Sequence, residues 1–263
     1  MAKKRVIFKL IFSEDSFCLS RNFSLQKVGN VEWLFDRLNF QSISSHIDEL
    51  IVLNASKNNK EDPLPYKLKK SIALLMRHNF IPLTIGGGLS NLNQIDECFD
   101  LGADKILLNS SLRNNPKIVN KCANKYGSQS VSIGIDFKFI KKLNNIKKKY
   151  YSFTDNGNFL FLPIEKHIEL LNNINFGELI LTSIDKDGTG FGFDKKIMKF
   201  IDKNSKFPIL LSGGAGKPEH FENLIKDKNI SALVTGNLYN FLGNGLEILR
   251  NKIISRGVKL RIL

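Results

Sequence analysis

The sequence predicts a (β/α)8 barrel built from two duplicated half-barrels, and three observations carry that reading. Eight short apolar runs recur with amphipathic segments between them. Eight strand-then-helix units in a chain of 263 residues match the count and length of such a barrel. Finally, Ile81-Pro82-Leu83-Thr84-Ile85-Gly86-Gly87-Gly88 resembles Phe207-Pro208-Ile209-Leu210-Leu211-Ser212-Gly213-Gly214 at an offset of 126 residues, nearly half the chain. Alternation alone also fits a doubly wound sheet. The duplication favours the closed form, because two four-unit halves close naturally into one barrel.

The expected strands are 6–12, 49–54, 82–85, 105–109, 131–136, 178–182, 208–212 and 232–236. Residues 64–77 have helical period, with Leu64, Leu68, Ile72 and Leu75 on one stripe, and 165–172 do likewise. Pro82, Pro208 and Pro218 stand at element edges, where proline is tolerated. Residues 103–112 resemble 231–239, each an apolar strand ending in a small polar cluster, so strands 3 and 4 look duplicated as 7 and 8. No linker or composition break divides the chain, and one barrel domain over 1–263 is expected.

Composition narrows the function classes. Hydrophobic residues are 42% and charged residues 24%, which excludes disordered, collagen-like and coiled-coil chains. The longest purely apolar runs are a few residues, far below the ~20 of a membrane helix. Lys9 interrupts the first apolar stretch, which no small-residue cleavage site follows, so no signal peptide is expected and the cytoplasm is the expected compartment. Cys18, Cys98 and Cys122 are widely spaced and odd in number, giving neither a disulfide framework nor a metal site. No metal and no cofactor are expected. The net charge of +14 raises the question of nucleic acid, but only 8 of the 39 basic residues are Arg. Arg is the side chain that forks phosphates and reads bases. The densest cluster, Lys141, Lys142 and Lys147–Lys149, falls in one expected loop. A solvated lysine surface, with some attraction for an anionic substrate, is the better reading, without nucleic acid or membrane.

Two glycine-rich segments, Gly86-Gly87-Gly88 and Ser212-Gly213-Gly214-Ala215-Gly216, each follow a strand and precede a helix. Glycines there let backbone N–H groups close on an anion, helped by the next helix N-terminus. Asn109-Ser110 and Gly236-Asn237 supply donors beside each loop. A tight turn would explain one such loop; two, half a barrel apart, point to two phosphate sites on opposite sides of the mouth. Asp136 leaves the apolar strand Val131-Ser132-Ile133-Gly134-Ile135, and Asp185 and Asp187 lie just past another. Strand C-termini face the active site in this fold, and a carboxylate there can serve as acid or base. Helix caps or turn aspartates are the competing explanation, and for Asp185 the two weigh equally.

These residues carry a resemblance. Pro82–Gly88, Gly102-Ala103-Asp104-Lys105, Tyr126-Gly127-Ser128-Gln129, Leu181-Thr182-Ser183-Ile184-Asp185-Lys186-Asp187-Gly188-Thr189 and Ser212-Gly213-Gly214-Ala215-Gly216-Lys217-Pro218-Glu219-His220-Phe221 resemble the cyclase subunit of imidazole glycerol phosphate synthase. The likeness spans nearly the whole chain and is strongest from residue 82 onward. It implies a (β/α)8 barrel with two phosphate sites and a glutaminase subunit docked below. Ammonia made there passes through the barrel to a bisphosphorylated substrate at the top. Arg5, Glu49, Lys105 and Glu178 fall where the family has its ring of gating charges, and Asp104 where it docks the glutaminase. The implied phosphate contacts are Gly87, Gly88, Asn109 and Ser110 on one side, and Asp187, Gly188, Gly213, Gly214, Gly236 and Asn237 on the other. Asp136 matches the barrel-top aspartate of strand 5, with Thr182 and Asp185 expected to line the site.

The departures are informative. The family's main acid/base is an aspartate ending strand 1 in a Cys-Leu-Asp-Val context; here Lys9-Leu10-Ile11-Phe12 puts Ile11 there, which cannot exchange a proton. The first loop, residues 13–23, lacks the family's glycines and lysine at the matching places, with Arg21 as a substitute cation. A strand 2 aspartate is Asn54, and the loop after strand 5 reads Asp155-Asn156-Gly157-Asn158. Gate kept, cradles kept and acid lost is the pattern of relatives found with surface-polysaccharide genes, which are thought to turn an acetamido sugar into an acetamidino sugar with a glutaminase and an amidotransferase. The alternatives are a divergent histidine-pathway cyclase using Asp136 alone, and a non-catalytic subunit that activates a glutaminase and passes ammonia on.

Overall fold

The computed structural model describes residues 3–37, 39–77, 80–141, 149–201, 207–222, 224–237 and 244–260. Most of the lysine cluster (142–148) and the end of the second repeat (238–239) lie outside them. Eight parallel strands form the barrel: β1 (Arg5–Ser13), β4 (Glu49–Asn54), β5 (Leu83–Gly86), β6 (Lys105–Leu108), β7 (Val131–Ile140), β10 (Glu178–Ser183), β11 (Ile209–Ser212) and β12 (Ile230–Thr235). They neighbour one another in chain order, and pairing of β12 with β1 and of β7 with β10 closes the circle. The eight expected strands are these eight, each with ends shifted by a few residues.

Alternation within each strand sorts the side chains into two cores. Along β1, Val6, Phe8, Leu10 and Phe12 are buried toward the outer helices, while Ile7 points into the lumen. Ile7, Ile51, Leu107, Ile180, Leu210, Ala232 and Val234 make an apolar collar inside the barrel. The outer layer is α1 (Val31–Asp36), α2 (Phe40–Ser44), α3 (Tyr66–Met76), α4 (Leu92–Asp100), α5 (Ser111–Asn114), α6 (Lys117–Tyr126), α7 (Ile164–Leu171), α8 (Glu219–Glu222) and α9 (Gly245–Ser255). The stripe expected in 64–77 is buried in α3 and its approach, at Leu64, Leu68, Ile72 and Leu75. Asn91 starts α4 by accepting a hydrogen bond from the Gln94 N–H at 3.1 Å. Among the described residues no helix is long and apolar enough to cross a membrane.

Two antiparallel extensions rise from the barrel and correct the expectation of loops. β1 turns back into β2 (Ser16–Arg21) and β3 (Ser24–Gly29), so residues 13–23 are mostly hairpin. Likewise β7 runs on past Asp136 and pairs with β8 (Lys149–Thr154), which pairs with β9 (Phe159–Pro163); Asp155–Asn158 is the turn between these two. Both extensions stand over the C-terminal mouth.

Candidate active site

The mouth is lined by inward residues at the C-terminal ends of barrel strands, among them Ile11, Asp136, Thr182 and Ser212. β7 supplies Asp136, whose register partner on β10 is Thr182. Asn109, just past β6, donates from Nδ2 to Asp136 Oδ2 at 2.7 Å. Burial pushes the Asp136 carboxyl up to about 7; the charge of Lys9 and the Asn109 hydrogen bond oppose the rise, and Asp187 adds to it. A carboxyl poised there can take or give a proton near neutral pH.

Gly87, Gly88, Asn109 and Ser110 border a cavity of about 430 Å³, together with Ile11, Asn54, Asp136 and Thr182. Two polar atoms of its lining residues, Asn109 Oδ1 and the Ser111 hydroxyl, are buried with no partner among the described residues. Gly213, Gly214, Gly236, Asn237, Asp187 and Gly188 border a second, much smaller cavity of about 40 Å³. Each glycine loop therefore has its own cavity, as the duplication predicts. The glycines also have a packing reason: a Cβ on Gly87, at φ +100, would lie 2.0 Å from the Asn54 carbonyl oxygen.

The first hairpin is latched onto the smaller cavity. The Ser20 hydroxyl donates to the Asp187 carboxylate, and the Asn22 N–H donates to the Asp187 carbonyl at 2.9 Å. Asn237 Nδ2 donates to the Ser20 carbonyl at 3.1 Å. A Cβ on Gly188 would lie 1.9 Å from that carbonyl oxygen, so glycine is what lets the hairpin close. Asp187 and Asn237 are thus committed to the hairpin.

Other expected residues differ in placement. Asn54 is 1% exposed, and its amide donates to the carbonyl of Pro63 at 3.0 Å and accepts from the Ser56 N–H at 3.0 Å, tying down the loop after β4. Asp185 turns to the second extension, accepting from the Phe139 N–H at 3.0 Å, and borders neither cavity, so the turn explanation suits it. Arg21 is exposed on the hairpin. Sequence reasoning passed over Ser20, Ser111 and Lys9. Lys9 points inward from β1, reaches Ser212 Oγ at 3.3 Å and borders both cavities. Its only signal in the sequence is a charge inside an apolar strand.

At the opposite end the four charges form a closed ring. Arg5 Nη1 contacts Glu49 and Glu178, each at 2.7 Å, and Lys105 Nζ contacts the same two carboxylates at 3.1 and 3.2 Å. The four come from β1, β4, β6 and β10, so the ring spans the barrel foot below the apolar collar. Asp104 beside it is exposed and accepts from the Leu83 N–H at 2.8 Å. Among the described residues no three His, Cys, Asp or Glu side chains gather as a metal site.

Residues 42–242 match the family model described as histidine biosynthesis protein. A provisionally named imidazole glycerol phosphate synthase subunit hisF2 of Parasynechococcus marenigrum is 38% identical over 258 residues, 96% of this chain and 91% of that one. A provisionally named subunit HisF of Leptospira borgpetersenii is 33% identical over 95% of each chain. The imidazole glycerol phosphate synthase subunit HisF of a Hydrogenobaculum species is 31% identical over 82% of each.

Proposed function

The chain belongs to the histidine biosynthesis protein family, among relatives of imidazole glycerol phosphate synthase subunit HisF, and from that premise we propose that it is an ammonia-using synthase subunit whose top-side reaction has changed. It pairs in the cytoplasm with a glutaminase subunit seated on the face that holds Arg5, Glu49, Asp104, Lys105 and Glu178. Ammonia enters through the charged ring, crosses the collar and meets a phosphorylated or nucleotide-sugar substrate at the mouth. The product is an acetamidino group on a surface-polysaccharide sugar, with a separate amidotransferase taking part. The chain 1–263 acts as one barrel domain.

β1 carries the argument. Its foot, Arg5, is tied to two buried carboxylates, while its top presents Ile11 where the cyclase reaction needs an acid. An ammonia entry without the strand 1 acid above it fits a retained nitrogen source and a new acceptor. Asp136 ends a barrel strand at the mouth and, unlike Asp187, is not tied to the first hairpin; it is the proposed acid/base. Gly87, Gly88, Asn109 and Ser110 are the proposed phosphate contacts on the roomier side, with Gly188, Gly213, Gly214 and Gly236 opposite.

A second reading, the divergent cyclase that forms imidazole glycerol phosphate and an aminoimidazole carboxamide ribotide, draws support from the Asp136 carboxyl held at about 7, a value suited to one group both taking and giving a proton. One experiment separates the readings. The chain is reconstituted with glutaminase subunits of the same genome and given glutamine with either an acetamido nucleotide sugar or the cyclase substrate. Amidinated sugar supports the first reading and imidazole glycerol phosphate the second. Glutaminase stimulation without either product, unchanged in Asp136→Asn, leaves a pure ammonia conduit.

A further inference from the structure

Lys9 is a charge that neither the glycine loops nor the strand-end carboxylates explain. Its neighbours Phe8 and Leu10 are buried outward, and it shares the inward face of β1 with Arg5, Ile7 and Ile11. Ile7 belongs to the apolar collar, so the ammonium of Lys9 sits one inward step above that collar, at the floor of the mouth. Burying an ammonium costs free energy unless the surroundings compensate it. The acceptor in reach is the neutral Ser212 Oγ, at 3.3 Å. Arg5 and Lys105 at the foot are matched by carboxylates in direct contact, whereas among the described residues Lys9 has no carboxylate within 4.0 Å. An ammonium carries three donors, and one is spent on Ser212. Lys9 also borders both cavities, a position it shares with Ile11 and Ser20.

We infer that Lys9 and Asp136, which border the same large cavity, act as one pair across the floor of the mouth, with Lys9 opposing the protonation of Asp136 and turning its spare N–H donors toward an oxyanion of the bound substrate. The geometry explains Ile11 as well. A strand 1 acid two residues above an inward lysine would neutralise it; an isoleucine leaves the cation free to act on Asp136. The other groups around Asp136 are Asn109 just past β6, Asp187 from the segment after β10 and its neutral partner Thr182 on β10. Lys9 is the cation among them, and its charge works against the rise that burial imposes on the carboxyl. The inference concerns the pair itself and holds for an amidinated sugar or a cyclase substrate alike.

The test is a pH titration of the Asp136 carboxyl by NMR on the full chain carrying carboxyl-labelled aspartate, the signal being assigned by its loss in Asp136→Asn. Lys9→Met keeps the length of the stem and removes the charge. It should raise the Asp136 midpoint by about one pH unit or more, a tenfold change in proton affinity, while Lys9→Arg should hold it near the wild-type value. A midpoint unmoved in folded Lys9→Met overturns the pair. A reciprocal measurement needs no change at position 9. The Nζ resonance of Lys9 should show an inflection near pH 7 in the wild type, and that inflection should vanish in Asp136→Asn. Its persistence in Asp136→Asn, or its absence from the wild type, also overturns the inference.

Discussion

Asn109 donates from Nδ2 to the Asp136 carboxylate at 2.7 Å, and the oxygen of the same amide is buried without a partner among the described residues. The Asp136 carboxylate therefore fixes which way the amide faces. The pair has a pH signature. A carboxyl raised by burial from 3.8 to about 7 contributes stability below its unfolded value, and that stability is lost as pH rises through the folded one. Asp136→Asn removes the loss. Its stability relative to wild type should therefore improve between pH 4 and pH 7 by on the order of 2 kcal/mol, with ~4 kcal/mol as the ceiling for a shift of this size. Urea denaturation at pH 4, 5.5 and 7.5 checks it, and a constant difference across that range contradicts it.

At the foot, Lys105 completes the ring with Glu49 and Glu178, whose side chains are 5% and 10% exposed. Removing one member of a buried ion pair typically costs ~3–5 kcal/mol. Here Arg5 still holds both carboxylates, so Lys105→Ala should cost less, about 1–3 kcal/mol. If the ring admits ammonia, the variant should lose glutamine-driven product formation several-fold more than formation driven by added ammonia. Equal losses with the two nitrogen sources would place the defect at the mouth instead.

His167 on α7 is 3% exposed, its Nδ1 has no partner among the described residues, and its ring meets Phe161 edge-on at 5.0 Å. Burial lowers its imidazole from 6.5 to about 4. The unfolded chain binds the proton first, so stability falls as pH drops from 6.5 toward 4, by up to ~3 kcal/mol. His167→Phe should flatten that part of the pH profile, opposite in direction to the Asp136 effect. Denaturation curves at pH 7 and pH 4.5 give the comparison, and a variant that loses as much as wild type refutes it.

The eight barrel strands were legible because parallel strands buried on both faces read as continuous apolar runs. The two extensions were not. β3 is mostly exposed, with no alternation to mark it. Its turn uses Asn22 and Phe23 at φ 50 and 66, and the turn before β2 uses Glu14 and Asp15 at φ 47 and 65. Those are the positive angles of tight hairpin turns, but without the Asn-Gly or Asp-Gly pairs that announce them. Phe23 is held there partly by its N–H donating to Asp187 Oδ2 at 3.3 Å, a contact 164 residues away that no local pattern can reveal. The ring was readable by resemblance, whereas Lys9 read only as an interruption of an apolar strand. Distance in sequence between Lys9, Asp136 and Ser212 hid what they share.

That latch makes the two cradles unequal. Phosphate should enter the Gly88 side first, against Asn109, Ser110 and Ser111, because that cavity is about 430 Å³ against about 40 Å³ opposite. Ser20→Ala removes the hydroxyl bond to Asp187 and should ease the hairpin off the second cradle. The expected result is a several-fold gain in phosphate binding sensed at the Gly213, Gly214 and Gly236 amides, with the Gly88 side unchanged. Amide shifts during a phosphate titration report both sites separately. Equal saturation of both sides in wild type would mean that the hairpin opens freely.

Ile11 decides whether the old reaction survives. The chain with added ammonia should form imidazole glycerol phosphate at least ~10²-fold more slowly than a relative with an acid at this position, since losing a positioned proton-transfer group costs ~10²–10⁴-fold. Restoring the acid alone should not recover it. Ile11→Asp would place a carboxylate on the inward face of β1 two residues from Lys9, close enough along one strand face for the two to pair with each other. The new acid would then be held ionised by the lysine, and Asp136 would lose part of the cation acting on it. The hairpin that begins at Ser13 and Ser16 would still cover the site. Ile11→Asp combined with Lys9→Cys removes the competing ammonium and is the fairer trial. Recovery to within tenfold of an ordinary relative in the single variant would show that position 11 was the whole difference. Recovery only in the double variant would assign the difference to Lys9, and failure of both would leave the hairpin and Asn54 as the residues that define a different substrate.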